Sequence, residues 1–200
     1  MSNRFFEIKN GNFVASEKNK VNNVNLKIEN KGEIVSLLGP SGVGKTTILR
    51  TIAGLQKLSS GEIYLNNKLI SSNEVHTEPE KRNIALSFQD NSLFPNYKVV
   101  DNINFGRKRS NGNGFSYEAD DIVKLLHIEP ILEKFPHQIS AGEAQRVSLS
   151  RSLMSKPDLL LLDEPFSNID QSLKEEIQYS VKRLLKKINL TTIIVTHDSY

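Results

Sequence analysis

The apolar run Ile34-Val35-Ser36-Leu37-Leu38 leads directly into Gly39-Pro40-Ser41-Gly42-Val43-Gly44-Lys45-Thr46, and a helical spacing follows from Thr46 to Ala53 before Gly54 ends it. No other stretch limits the fold of this chain as much. A short apolar run without alternation suits a strand buried on both faces of a parallel sheet. The eight residues after it match the phosphate-loop pattern G-x-x-x-x-G-K-S/T in full. Glycines let successive backbone N–H groups turn toward phosphate oxygens with no Cβ in the way. The helix that follows presents its positive N-terminal end to the same oxygens. Lys45 adds a cation, Thr46 offers a hydroxyl to Mg²⁺, and Thr47 extends the nucleotide-contacting set. A plain glycine-rich turn is the simpler alternative, but a buried strand before it and a helix after it argue for a nucleoside triphosphate.

Elsewhere the first third reads as β-rich, with short apolar or alternating patterns at Phe6 to Ile8, Val24 to Ile28 and Ile63 to Leu65. Asn66-Asn67, between Ile63-Tyr64-Leu65 and Lys68-Leu69-Ile70, suits a tight hairpin. The middle carries helical spacings over Val99 to Phe105, Glu118 to Leu126 and Ala144 to Met154, separated by loops rich in Gly, Asn and Pro. Alternation then returns as strand Leu159 to Asp163, helix Ser172 to Ile188 and strand Thr192 to Thr196, the helix keeping Leu173, Ile177, Val181, Leu184, Leu185 and Ile188 on one face. This order predicts an α/β protein: a parallel-sheet core of the P-loop NTPase type, an antiparallel β region at the N-terminus and an inserted helical subdomain. The expected division is 1–90 with 155–200 as the nucleotide-binding core and 91–154 as the helical subdomain.

A second acidic site stands at Leu159-Leu160-Leu161-Leu162-Asp163-Glu164, an apolar strand that ends in two carboxylates before Pro165. Ligands of open α/β sheets bind at the C-terminal ends of the strands. Asp163 is the candidate support for Mg²⁺, and Glu164 the candidate base for an attacking water. With no cysteine in the chain, disulfides, thiolate metal sites and cysteine nucleophiles are excluded. The longest uninterrupted aliphatic run, Leu159 to Leu162, falls far short of the roughly 20 residues that span a bilayer. A link to a membrane would therefore run through a partner. The net charge of +3 is too mild to imply nucleic acid. Arg107-Lys108-Arg109, and Lys182, Arg183, Lys186 and Lys187 on the polar side of a helix, read as solvated surface.

With these segments in place, the chain resembles the ATP-binding subunits of ABC transporters over nearly its whole length. Ile139-Ser140-Ala141-Gly142-Glu143-Ala144-Gln145-Arg146 is similar to the signature segment peculiar to that family, usually Leu-Ser-Gly-Gly-Gln before a basic helix. Gln89 matches the Q-loop, Ser167-Asn168-Ile169-Asp170 the D-loop, and His197, after the last apolar strand, the H-loop. The resemblance implies a head-to-tail dimer of two copies, with each ATP between the phosphate loop of one and the signature of the other. Ser140, Ala141, Gly142 and Glu143 would then face the partner's ATP. Gln89 would join Thr46 and Asp163 around Mg²⁺ and sense the nucleophilic water, while His197 would hold the γ-phosphate as Glu164 activates that water. Phe13 is a candidate to stack on adenine, and an ordinary core phenylalanine is the competing reading. Transmembrane permease subunits and a solute-binding protein are the further partners implied, placing the chain on the cytoplasmic side of a membrane, peripheral through the permease.

Three features depart from the family pattern. Ala141 replaces the usual first glycine and Glu143 the glutamine, and the chain ends three residues after His197, where family members continue; the resemblance implies a partial cassette. Ser140-x-x-Glu143 also fits a helix capping box, so Glu143 either caps its own helix or faces the partner's γ-phosphate. The stretch Gln89 to Pro95, with Val99, Asn102, Ile103 and Gly106, is most similar to solute importers, and Ser71 to Arg82 to the ferric-iron group among them. The alternative is a soluble ABC-type ATPase acting on DNA or ribosomes, which would usually carry a long coiled-coil insertion or two fused cassettes. A nucleotide-gated switch with little turnover is disfavoured by Glu164 and His197, and a GTPase by the lack of an Asn-Lys-x-Asp run.

Overall fold

Two sheets organise the computed structural model, which describes residues 4–14, 20–88, 92–108 and 119–196. The order of elements is β1 (Phe6–Val14), β2 (Lys20–Ile28), β3 (Ile34–Leu37), α1 (Lys45–Ala53), β4 (Ser60–Leu65), β5 (Lys68–Ser71), β6 (Ile84–Ser87), α2 (Val99–Lys108), α3 (Ala119–Leu125), α4 (Ala141–Met154), β7 (Leu159–Asp163), α5 (Gln171–Lys187) and β8 (Thr191–Val195). One sheet has the order β2-β1-β4-β5 with antiparallel pairs, and the other the order β3-β8-β7-β6 with parallel pairs. The α/β architecture with an antiparallel β region beside a parallel sheet is the one expected from the sequence.

Two strands differ from the sequence reading. β1 runs on through Asn10-Gly11-Asn12, residues that look like breakers, because register shifts against both neighbours absorb them and Asn10 takes a φ of 48°. β6 was not expected at all. Ile84-Ala85-Leu86-Ser87 is too short to declare itself, and it becomes a strand by pairing along β7, Ile84 with Leu159 through Ser87 with Leu162. The β4–β5 hairpin is as expected, with Asn66 and Asn67 both at positive φ, 51° and 62°.

The parallel sheet is covered on both faces, and strand parity sorts its side chains. Leu159 and Leu161 of β7, with Ile193 and Val195 of β8, pack with Ile48, Leu49 and Ile52 of α1 and the antiparallel sheet. Leu160, Leu162 and Ile194 face the other way, toward Ile177, Val181, Leu184 and Leu185 of α5 and toward Val147, Leu149 and Leu153 of α4. Successive side chains on a strand alternate between faces. The residue two beyond Leu161 is Asp163, so its carboxylate falls on the α1 side.

Helix α1 is also held at its far end. Arg82, 2% exposed, donates to the carbonyls of Thr51 (3.0 Å) and Ile52 (2.8 Å), placing a cation on the negative end of the helix dipole. Burial pulls its pKa down to about 10. The same side chain donates to Thr77 O at 2.6 Å and Ser71 Oγ at 2.9 Å, tying α1 to the segment after β5. Lys182, Arg183, Lys186 and Lys187 are exposed on α5. Among the described residues no helix is long and apolar enough to cross a membrane.

A candidate nucleotide site at the ends of the parallel strands

β3 ends at Leu37 and α1 begins at Lys45, so the phosphate loop is the connection between a parallel strand and its following helix. Gly42 and Gly44 take φ values of 79° and 101°, a region that side-chain-bearing residues enter only at a cost. Gly44 is the N-cap of α1; no side chain caps this helix, and its first turn holds no acidic residue. Such an end carries the positive pole of the helix dipole undiluted. Lys45 is buried, with Nζ donating to the carbonyls of Gly39 (2.6 Å) and Pro40 (2.9 Å). Its ammonium is thereby fixed inside the curve of its own loop.

A cavity of about 470 Å³ opens over this loop, lined by Ser41, Gly42, Gly44, Lys45, Thr46 and Thr47 from one side and by Asp163, Glu164, Ser167 and Val195 from the other. Two sites separated by more than a hundred residues of sequence are thus one place. The donor set suits a Mg²⁺–nucleotide: a threonine hydroxyl and a carboxylate are hard oxygen ligands, and the glycine-rich loop and Lys45 complement phosphate. Asp163 is 3% exposed at the end of β7.

Glu164 turns the chain out of β7. Its φ is 49°, in the left-handed region, which for a non-glycine residue costs about 1–3 kcal/mol and persists only where neighbours enforce it. Glu164 N–H donates to Val195 O at 2.9 Å, and Glu164 O accepts from Gln145 Nε2 at 2.8 Å and from Ser167 Oγ at 3.1 Å.

The signature segment lies elsewhere. Ser140, Ala141, Gly142 and Glu143 are not among the residues lining the cavity; they form the N-cap and first turn of α4. Glu143 and Ser140 make the reciprocal capping box: Ser140 N–H donates to the Glu143 carboxylate at 2.7 Å and Glu143 N–H to Ser140 Oγ at 3.2 Å. The bond from the Ser140 N–H holds the Glu143 carboxyl below its ordinary range, against a smaller opposing effect of burial. Of the two readings of Glu143, the structure has the cap.

Phe13 requires a correction. Its ring is fully buried, packed in the cluster between the antiparallel sheet and α1, and leaves no face for a base. The alternating pattern of β1 sends Phe6, Ile8 and Phe13 to the same interior, bulges included, so the core reading holds. Gly39 and Pro40 hold Lys45 rather than line the cavity, and Val43 is 47% exposed on the loop's outer side. Gln89 and His197 lie outside the described residues. Sequence reasoning missed the part played by Gln145. The available signal was a polar amide inside a helix stretch that is buried at every position from 145 to 150.

A glycine-rich loop after a parallel strand, opening a helix beside strand-end carboxylates, defines a P-loop nucleotide-binding core. The chain belongs to the ABC transporter family, whose model matches residues 21–167. It is 41% identical over 180 residues to the Fe(3+) ions import ATP-binding protein FbpC of Fusobacterium nucleatum subsp. nucleatum, covering 89% of this chain and 47% of that protein. It is 42% identical over 177 residues to the maltose/maltodextrin import ATP-binding protein MalK of Mannheimia succiniciproducens, covering 88% and 46%. The chain spans about half the length of these curated relatives. Among solved structures, a dimeric ATP-binding cassette in a post-hydrolysis state, bound to ADP and Pi, superposes with a TM-score of 0.81 at 30% identity, over 96% of this chain and 88% of that one.

Proposed function

We propose that this chain is the ATP-hydrolysing subunit of an ABC importer, working as a head-to-tail dimer on the cytoplasmic side of a membrane beneath permease subunits. The observation that carries the reading is the single cavity in which Lys45 and Thr46 meet Asp163 and Glu164. Lys45 and the amides of the loop bind the phosphates and stabilise charge that develops on the leaving ADP oxygen. Thr46 and Asp163, with Gln89, would hold Mg²⁺, which would neutralise phosphate charge. Glu164 takes a proton from water as the water oxygen bonds to the γ-phosphorus and the bond to ADP breaks. Glu164 lines the cavity and its backbone is fixed on both sides, so the residue that carries the base is held in place before the reaction.

The second copy would bring its own Ser140-to-Glu143 turn to this nucleotide, while His197 of this chain would hold the γ-phosphate beside Glu164. A dimeric form fits the solved relative, which is dimeric. The importer reading is supported by the relatives, which are named as import ATP-binding proteins; a solute-binding protein delivering cargo is part of the proposal. Cargo stays at the level of a solute. Ferric iron has the support of relatives at 41% and 36% identity, but relatives named for maltose and glucose stand at 42% and 40%, so similarity does not choose among them. The test is stimulation. The chain alone should hydrolyse ATP slowly; co-expression with its cognate permease should bring it to the membrane fraction and raise turnover, and DNA or ribosomes should do neither. Stimulation by nucleic acid instead would overturn the transport reading.

A further inference from the structure

The first two turns of α4 sit directly on the turn that carries Glu164. A Cβ on Gly142 would stand 2.5 Å from the Asn168 carbonyl oxygen, so helix and turn approach as closely as only glycine permits. One turn further along the same helix is Gln145, 2% exposed. Its amide is used from both ends. Nε2 donates to Glu164 O at 2.8 Å and Ser167 Oγ at 3.2 Å, and Oε1 accepts from the Asn168 N–H at 3.1 Å. A carbonyl can only accept and an N–H can only donate, so the orientation of the amide is settled by its partners. One rigid side chain therefore grips the turn from 164 to 168 at both ends.

We propose that Gln145 is a positioning residue for ATP hydrolysis: it locks the Glu164 backbone in its left-handed conformation and so aims the carboxylate, tying that aim to the place where the signature helix begins. This rests on the reading of Glu164 as the base. The Val195 carbonyl fixes the peptide before Glu164; Gln145 at 2.8 Å, with the Ser167 N–H and Oγ at 3.2 and 3.1 Å, fixes the peptide after it. Between two fixed peptides the Cα–Cβ direction is determined, and with it the line along which the carboxylate can reach water. Because Gln145 and the Ser140–Glu143 cap lie on successive turns of α4, a shift of that helix end moves the grip on Glu164 as a unit. The site that serves a partner's nucleotide and the base that serves this chain's own are joined through one amide.

The test uses the full chain with two variants. Gln145→Met keeps length and burial but removes both hydrogen-bonding ends. It should lower kcat by about 10-fold or more, the scale of a misaimed catalytic group, with affinity for a non-hydrolysable ATP analogue unchanged. In a Glu164→Gln background the same substitution should remove no further turnover, since the two act through one group. Gln145→Glu, similar in size and polar, guards against a simple packing failure. It keeps an oxygen for the Asn168 N–H but sets a carboxylate against the Glu164 carbonyl, so kcat should fall with affinity again unchanged. Wild-type kcat in either folded variant, a matching loss of affinity, or full additivity with Glu164→Gln would overturn the proposal. Normal turnover by Glu164→Gln alone would instead sink the assignment of the base itself.

Discussion

Helices α1 and α4 begin in opposite ways, although the mechanism proposed above asks both N-termini to meet phosphate. α1 starts from a left-handed glycine, Gly44, with no side-chain cap and no acid in its first turn. α4 starts from Ser140 with a full capping box, and the carboxylate that closes it, Glu143, sits where anions are attracted. A helix end that must bind an incoming anion throughout the cycle leaves its donors and its dipole uncommitted. In the proposed dimer, the α4 end would meet an anion only when a second molecule docks; meanwhile Glu143 caps its donors. The two ends also differ in what lies behind them. α1 is anchored by Arg82 at its C-terminus, and α4 is anchored near its N-terminus by Gln145 on the turn that carries Glu164.

Breaking the acidic side of the cavity should have the largest effect. Glu164→Gln is expected to cut turnover by roughly 100-fold or more, the scale of a lost general base, while ATP binding at α1 persists and an ATP-bound dimer accumulates. Steady-state hydrolysis and size-exclusion chromatography with ATP read both, and near-normal hydrolysis would break the assignment. Next comes α1 itself. Lys45→Ala removes the cation at the loop and should weaken nucleotide binding by about 1.5–3 kcal/mol, as for hydrogen bonds to charged groups. Calorimetric titration with a non-hydrolysable analogue checks this, and unchanged affinity would mean the nucleotide binds elsewhere.

The smallest effects belong to α4. Glu143→Ala should lower stability by about 0.5–2 kcal/mol, the range for a lost cap, whereas Glu143→Gln should be nearly silent because glutamine can accept from the same N–H. The pH dependence has a definite sign. The folded-state pKa of Glu143 is held below its unfolded value, so its contribution is fully present above the unfolded pKa, in the ordinary glutamate range. It is lost as pH falls through the folded value. Acid denaturation of the wild type and of Glu143→Gln should differ only at that acidic end. In a Glu164→Gln background, Glu143→Gln should leave ATP-driven dimerisation unchanged. A clear gain would show that the carboxylate repels the partner's nucleotide, and the contrast between the two helix ends would need redrawing.

Local chemistry was legible in the residues themselves. The phosphate loop needs glycines, a lysine and a hydroxyl at set spacings, and those spacings survive in any sequence that keeps the geometry. Asn66-Asn67 announces its hairpin because few residues accept two consecutive positive φ angles. The Ser140–Glu143 cap is equally local, formed by groups three residues apart.

What depended on distant partners was decided by the tertiary structure alone. β6 became a strand because β7 lay beside it with unpaired backbone groups, a condition no four-residue window contains. Phe13 was an open choice between an adenine platform and the core until packing buried its ring completely. Asp163 reached Lys45 and Thr46 through the parity of a strand wedged between two helices, and the grip of Gln145 on Glu164 joins residues 19 apart in sequence. Sequence patterns record what a residue requires of its near neighbours along the chain. Which far neighbour satisfies a buried amide or carboxylate is set only when hydrophobic burial has brought the elements together, because the cost of leaving such a group unpaired arises only then.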